Sequence, residues 1–495
     1  MFRKLKYSKL NLSLISRIMS NIANEGSASV ELPPDVFYNK VQETNRDLTI
    51  AVIREYQKRQ LMQKLARKNI KPYGGLKILE ALSATGLRSV RMAKEIPYIK
   101  RIFTNDNNPN AVKIIEKNIE TNQVGHCTEA CLNDAVQLMI RNSSFKDNFD
   151  IIDLDPYGTA SPFLDSALLS IKDGGLLCVT CTDMAVLCGS AVGTSFGRYG
   201  CVTVRCSAIH EQGIRVLLSA IQNSASKCGK IIQPLISLSI DFYARVFVTI
   251  KNSPGKVKLI SSKYSMMYSC ESCYAFHLTP MGQVREGKFI PARASCSSTC
   301  DECSGNYQIA GPIWSDPIHD PEFVESVLSS IIDPKSVEYP KDFPIAENVT
   351  PYCEPIDYGS KARLSGILSL AKDELHDVPF YFIPDNLAQV ITTTVPKSIH
   401  LRSAIVNAGY KVSESHCQPN SIKTNAPWSF IWELMRKVKL EYHPKKEQAN
   451  EKKNHNLKCK ETILSKPNEH NYKIDFTPNQ SLVDSVKART LPRWV

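Results

Sequence analysis

Four acids stand at the ends of apolar runs, and their order constrains the fold more than any other feature of the sequence. Glu80 closes Leu76-Lys77-Ile78-Leu79, Asp106 closes Ile102-Phe103-Thr104-Asn105, Asp134 follows Leu132-Asn133, and Asp155 follows Ile151-Ile152-Asp153-Leu154. Short apolar runs punctuated by Gly, Pro or Asn read as buried strands. Between them Ala111 to Asn122 has helical spacing, and Phe163 to Ile171 follows the last acid with the same spacing. Strands alternating with helices predict a doubly wound parallel sheet, whose working crevice lies beyond the carboxyl ends of its strands. All four acids therefore belong on one rim, within about eighty residues of chain. Leu176 to Thr180, Pro234 to Ile240 and Arg245 to Ile250 supply the remaining strands and close this Rossmann-like α/β domain near residue 255.

Each acid precedes a turn with its own chemistry. After Glu80 comes Ala81-Leu82-Ser83-Ala84-Thr85-Gly86, a small-residue loop without the G-x-G-x-x-G of dehydrogenases. An acid before such a loop is the usual start of an S-adenosylmethionine pocket, because the cofactor's methionine part lies against the loop backbone. Asp106 suits a ribose diol, since a carboxylate accepts from both hydroxyls, and Asp134 can meet an adenine amino group. Taken singly, each position reads equally as a cap or turn acid. Asp155-Pro156-Tyr157 sets an acid beside an aromatic ring. It resembles the acid-Pro-Pro-aromatic loop of methyltransferases that modify exocyclic amines on bases. An aryl amine's lone pair is delocalised into its ring; a carboxylate accepting the N–H localises it and takes the proton, while a ring face stacks on the base. The plain alternative is a strand-ending Asp-Pro turn.

The flanking segments are less specific. Residues 1 to 24 carry Arg3, Lys4, Lys6, Lys9 and Arg17 and no acid, with leucines and isoleucines among serines. That is either a mitochondrial transit segment, which a start at Met19 omits, or a basic arm that touches RNA. Asn45 and Asp47, ahead of a long helical pattern ending near Arg67, read as caps, with Arg46 either a surface cation or a contact for a carboxylate. His210 beside Glu211 reads as a structural histidine. A net charge of +12 favours an acidic partner such as nucleic acid. The best apolar stretch, Ile231 to Ile250, is broken by Pro234, Asp241 and Arg245, so no membrane span is expected. Sixteen cysteines in 495 residues is not disulfide-scaffold density, and a reducing compartment is expected.

Cys270-x-x-Cys273 and Cys300-x-x-Cys303 form two knuckles with 26 residues between them. They offer four thiolates for a structural Zn²⁺; paired buried thiols or a redox couple are the alternatives, and Cys296 and His277 leave the ligand set open. Lys397, Arg402, Lys423 and Arg436 with Tyr410, Trp428 and Trp432 read either as an RNA-facing surface or as a core cluster with scattered charges. The expected organisation is a basic targeting segment or arm over 1–30 and a methyltransferase domain over 31–255. A smaller mixed α+β domain with the zinc site and an RNA-binding role follows over 256–440, then a flexible basic tail over 441–495 that serves RNA contact, nuclear import or neither.

Asn45-Arg46-Asp47, Ala81 to Arg88, Asn105 to Pro109, Asp153 to Gly158, Thr180 to Asp183, Tyr199-Gly200, His210-Glu211 and Asn425 to Trp432 together resemble the tRNA guanosine-26 N2-dimethyltransferase family, over roughly residues 31 to 440. The resemblance implies a class I methyltransferase sheet, with Arg46, Arg88, Asp106, Asp134 and Ala135 holding S-adenosylmethionine beside Glu80. It implies that Asp155, Pro156 and Tyr157 address the guanine amino group, and that cysteines of the second domain bind zinc. Tyr157 stands where Phe is common, and Asn107-Asn108 where a less amide-rich turn is common. Action in the nucleus and mitochondrion, as a monomer, is the matching expectation. Two other readings remain: an RNA-binding assembly protein that keeps an inactive methyltransferase fold, and a methyltransferase acting on another base or on a protein.

Overall fold

The structure, a computed structural model, describes residues 22–32, 39–67, 71–144, 146, 148–293, 297–336, 339–340, 343–442, 457–467 and 472–487. Its first element corrects the expectation of a free arm to residue 30. Strands β1 (Ile22–Glu25) and β2 (Ala28–Glu31) form an antiparallel hairpin. Ala23, Ala28 and Val30 bury against Leu87, Val90, Ile115 and Ile119, which gives the segment a reason to fold. Gly26 turns it with φ +55, and a Cβ there would lie 2.4 Å from Glu95 Oε1. Residues 1–21 lie outside the described residues.

Helix α1 (Glu43–Ala66) follows, then the alternation read from the sequence: β3 (Leu76–Glu80), α2 (Leu87–Glu95), β4 (Ile99–Asp106), α3 (Pro109–Thr121), β5 (Thr128–Leu132), α4 (Ala135–Arg141), β6 (Phe149–Leu154), α5 (Leu164–Ser170) and β7 (Ile171–Cys181). Helices α6 (Val192–Tyr199) and α7 (Ile209–Lys227) lead to β8 (Lys230–Ile240) and β9 (Tyr243–Asn252). The seven strands lie in the order β5-β4-β3-β6-β7-β9-β8, parallel except where β9 runs against both neighbours. Strand order reverses between β3 and β6, so the switch-point crevice opens between the loops after Glu80 and Leu154.

One face of the sheet packs α4, α5 and α7 through Leu138, Leu164, Leu168, Leu217 and Ile221. The other is covered by α1 and by two helices from beyond residue 255, α8 (Pro321–Ile332) and α9 (Lys361–Asp373), through Phe323, Val327, Leu364 and Leu368. The expected boundary at 255 is therefore no boundary in packing.

Past the sheet, β10 (Tyr264–Cys270), β11 (Phe276–Pro280), β12 (Gly282–Arg285), β13 (Lys288–Pro291) and β14 (Tyr307–Trp314) build a three-stranded sheet β11-β10-β14 and a hairpin β12–β13. Hairpin β15 (Val412–Ser415) and β16 (Gln418–Thr424) leads into α10 (Trp428–Tyr442). The tail expectation is also corrected in part. Helix α11 (Leu457–Ser465) and the segment before α12 (Gln480–Lys487) are docked, because Cys459, Ile463, Ile474 and Phe476 have apolar surface to bury against Trp432, Leu434 and Val438.

Candidate active site and thiol cluster

The loop 81–86 is pinned at both ends. Ser83 donates its backbone N–H to Asn105 O and its hydroxyl to Glu80 O, and Gly86, at φ +73, turns the chain into α2. Asp106 holds the middle: Oδ2 accepts from Ala84 N and Oδ1 from Asn108 N, both at 2.9 Å. Each oxygen keeps a second lone pair for a ligand. Asp134 is the N-cap of α4, its Oδ1 accepting from Gln137 N at 2.9 Å, with buried Ala135 following. Asp134, Asp106, Glu80 and Asp155 thus line one rim, in that order across the sheet.

Glu80 is buried and accepts from Ser89 N at 3.1 Å and from the Ser89 hydroxyl; burial raises its pKa to about 7 against the opposing pull of Arg88. Arg88, 5% exposed, donates to Asp155, to Thr49 Oγ1 at 2.9 Å and to Asn45 Oδ1 at 3.4 Å, and lies 3.5 Å from Asp153. The residue assigned to the cofactor is therefore engaged here with the catalytic candidate, fixing its carboxylate. Pro156 is buried, while the Tyr157 ring is 88% exposed. An acid braced from below and an aromatic ring left in water stand side by side at the end of β6.

Sequence reasoning missed what supports them. Asp153 is buried and paired with Arg245 at 2.6 and 3.0 Å; burial raises its pKa, but Arg245 and Arg88 outweigh that and hold it below the ordinary value. Arg46 is not a surface cation. Nε and Nη2 donate to Glu25 at 2.6 and 2.5 Å, and Glu25 also receives Arg91, which pairs with Asp47 at 2.7 Å and with Glu95 at 2.9 Å. Asn45 and Asp47 sit buried inside α1 rather than capping it. Apart from Arg91–Glu95, one helical turn apart, these pairs join residues tens of positions apart, and nothing in local sequence marks them.

On the far side of Tyr157, Gly158 N donates to Thr182 Oγ1 at 2.7 Å, and Asp183 accepts from Tyr199 Oη at 2.8 Å and Arg198 at 3.1 Å.

In the second half, Cys270, Cys273, Cys300 and Cys303 are all buried and their sulfurs lie within 4.8 Å of one another. Cys270–Cys303 and Cys273–Cys300 approach to 3.4 and 3.6 Å. A tetrahedral Zn²⁺ with bonds of about 2.3 Å needs edges of about 3.8 Å, so the donor set fits. The knuckles share a geometry: Cys270 N donates to Ala275 O and Cys300 N to Gly305 O, and Tyr274 and Ser304 take positive φ at the same position. His277 stands on β11 outside this group, and Cys296 lies outside the described residues.

A second group, His319, Glu374 and His416, does not suit a metal. His416 Nδ1 stands 2.7 Å from Glu374 Oε2, so a position on each that a metal would need is already taken by the hydrogen bond between them. Lys423 already sits on the same carboxylate and, at 3.2 Å, on Glu211. This is a buried ionic cluster, and it removes Lys423 from the RNA-facing reading. Arg402, Trp428 and Trp432 are buried too.

The family model described as N2,N2-dimethylguanosine tRNA methyltransferase matches residues 18–436. A tRNA (guanine(26)-N(2))-dimethyltransferase of Schizosaccharomyces pombe is 41% identical over 470 residues, 85% of this chain and 82% of that protein. A mitochondrial one of Saccharomyces cerevisiae is 36% identical, covering 95% and 89%, and a human one is 34% identical, covering 88% and 70%. Among solved structures, Trm1 from Pyrococcus horikoshii with S-adenosyl-L-methionine superposes with a TM-score of 0.66 at 25% identity, over 83% of this chain and 99% of that one.

Proposed function

The chain belongs to the N2,N2-dimethylguanosine tRNA methyltransferase family, and from that premise we propose how its residues divide the work. It is an S-adenosylmethionine-dependent methyltransferase that dimethylates the exocyclic N2 of guanosine 26 in tRNA. The open backbone at Ala84 beside Asp106 suits a nucleoside. Asp106 takes the ribose hydroxyls, Asp134 with Ala135 meets the adenine, and Glu80 supports the loop against which the methionine part lies. Arg46 and Arg88, which the family resemblance also assigns to the cofactor, would have to turn from Glu25 and Asp155 to reach it. S-adenosylmethionine supplies an electrophilic methyl group.

Asp155 accepts the N2 proton, which returns the nitrogen lone pair from the ring to the attacking atom. Tyr157 stacks on the guanine, and Pro156 fixes the angle between them. Guanosine 26 has to leave its stack to reach this rim, at a cost of a few kcal/mol. Asp155 and Tyr157 standing together at the strand end, one braced by Arg88 and the other in water, is the observation that carries this reading. Cys270, Cys273, Cys300 and Cys303 would hold one structural Zn²⁺ that ties the two knuckles together. Delivery to the mitochondrion and the nucleus fits the acid-free basic start and the lysine-rich stretch after residue 442.

Asp155→Ala should bind S-adenosylmethionine normally and lose transfer by about 10²–10⁴-fold, whereas Asp106→Ala should lose the cofactor itself. Calorimetry with the cofactor and single-turnover assays on tRNA separate the two. Transfer by Asp155→Ala at the wild-type rate would remove the catalytic assignment.

A further inference from the structure

Helix α6 is held close to the base site yet leaves an apolar face in water. Only Ser195 and Tyr199 of its residues are buried. One turn apart on the outer side, Val192 and Phe196 are 41% and 59% exposed. Gly193 and Gly197 border them, and a Cβ added at either would meet nothing within 4 Å. Packing within the chain therefore does not account for a phenylalanine at 196.

The last turn is clamped to the segment after Tyr157. Tyr199 Oη shares a hydrogen bond with Thr159 Oγ1 at 2.7 Å, and Ser161 Oγ donates to Arg198 O at 2.5 Å. Arg198 and Tyr199 both reach Asp183. Two to four residues separate Tyr157 from these clamps, so Phe196 is carried on the same rigid unit as the stacking ring. The helix carries Arg198 and no acid, which suits a phosphate backbone alongside.

We propose that Phe196 is a wedge: it enters the tRNA stack at the place the target guanosine leaves, while Tyr157 receives the everted base. The proposal rests on the reading that guanosine 26 is everted onto Tyr157. An apolar side chain inserted between bases keeps the neighbours from closing over the gap, and an aromatic one stacks on them. Phe196 acts as a positioning residue, touching the neighbouring bases rather than the reacting nitrogen. The flanking glycines let the RNA backbone approach the helix.

The test uses the full-length chain with two tRNA transcripts, one natural and one with an abasic residue in place of a base stacked on guanosine 26. Phe196→Ala should lose kcat/KM by about 10- to 100-fold on the natural tRNA and by less than about threefold on the abasic one, where little stacking is left to replace. Phe196→Trp should restore the rate on the natural tRNA. An equal loss on both substrates, or no loss on either, overturns the wedge. Eversion is read separately with 2-aminopurine at position 26, whose fluorescence rises on unstacking. The rise should survive in Asp155→Ala and disappear in Phe196→Ala. Survival of the rise in Phe196→Ala overturns the wedge whatever the fate of the catalytic assignment, whereas rapid transfer by Asp155→Ala overturns that assignment alone.

Discussion

Glu80 ends β3 beneath the loop that follows it, with Ser89 donating to its carboxylate and Arg88 Nε 3.6 Å away. Burial raises its pKa from 4.5 to about 7, so the folded chain holds this proton more tightly than the unfolded one. Its contribution to stability is complete below pH 4.5 and is lost as the pH climbs through about 7. A shift of that size is worth up to about 3 kcal/mol. Glu80→Gln, which cannot ionise, should therefore gain on the wild type by that amount between about pH 4.5 and 8. Urea unfolding across the range checks it; a difference flat with pH removes the argument. Such a group was half legible in advance. An acid at the end of an apolar run announces the rim of a parallel sheet, which is how Asp106 and Asp155 could be placed. The arginines that answer the acids could not, because Arg245 meets Asp153 and Arg91 meets Glu25 only after the chain has folded.

At the scale of elements, alternation placed the sheet strands because period and punctuation are local. Elements that depend on a distant surface were misread. The hairpin β1–β2 looked like the end of a basic arm, and its reason to exist, the pocket made by Leu87, Val90 and Ile115, lies on other elements. Helix α11 looked like part of a polar tail, yet Cys459 and Ile463 share a core with the four knuckle cysteines, and Lys466 pairs with Glu302 at 3.1 Å. The knuckles themselves were legible because their spacing is the chemistry. If their thiolates hold a metal, binding free energy is part of the folding free energy of this region. The isolated protein should carry one zinc per chain by mass spectrometry. Chelation should abolish amide-exchange protection at residues 270–275, 300–305 and 457–465 while β3 to β7 stay protected. Protein grown with zinc that carries none, with the four thiols oxidised, would remove the metal from this account.

At the scale of the molecule, the second half of the chain completes the first. Helices α8 and α9 cover a sheet face, and Glu211 of α7 meets Lys423 of β16, which also holds Glu374. Apolar periodicity marks such helices but does not say which face of which sheet they cover, so the domain boundary drawn from sequence cut through one packing unit. The net charge of +12 belongs to this same scale, because it acts on tRNA as a field rather than through any single contact. Each phosphate neutralised by Lys or Arg releases counterions, so log K falls linearly with log salt. About six such contacts would weaken tRNA binding on the order of a thousandfold between roughly 50 and 200 mM salt. On the proposed assignment, S-adenosylmethionine would meet carboxylates that accept from its hydroxyl and amino groups, and its affinity should change by less than about threefold over the same range. The pair of titrations, filter binding for tRNA and calorimetry for the cofactor, tests whether the basic surface serves the RNA. A tRNA affinity indifferent to salt would mean that guanosine 26 is reached through the crevice alone and that the excess of lysine and arginine has another use.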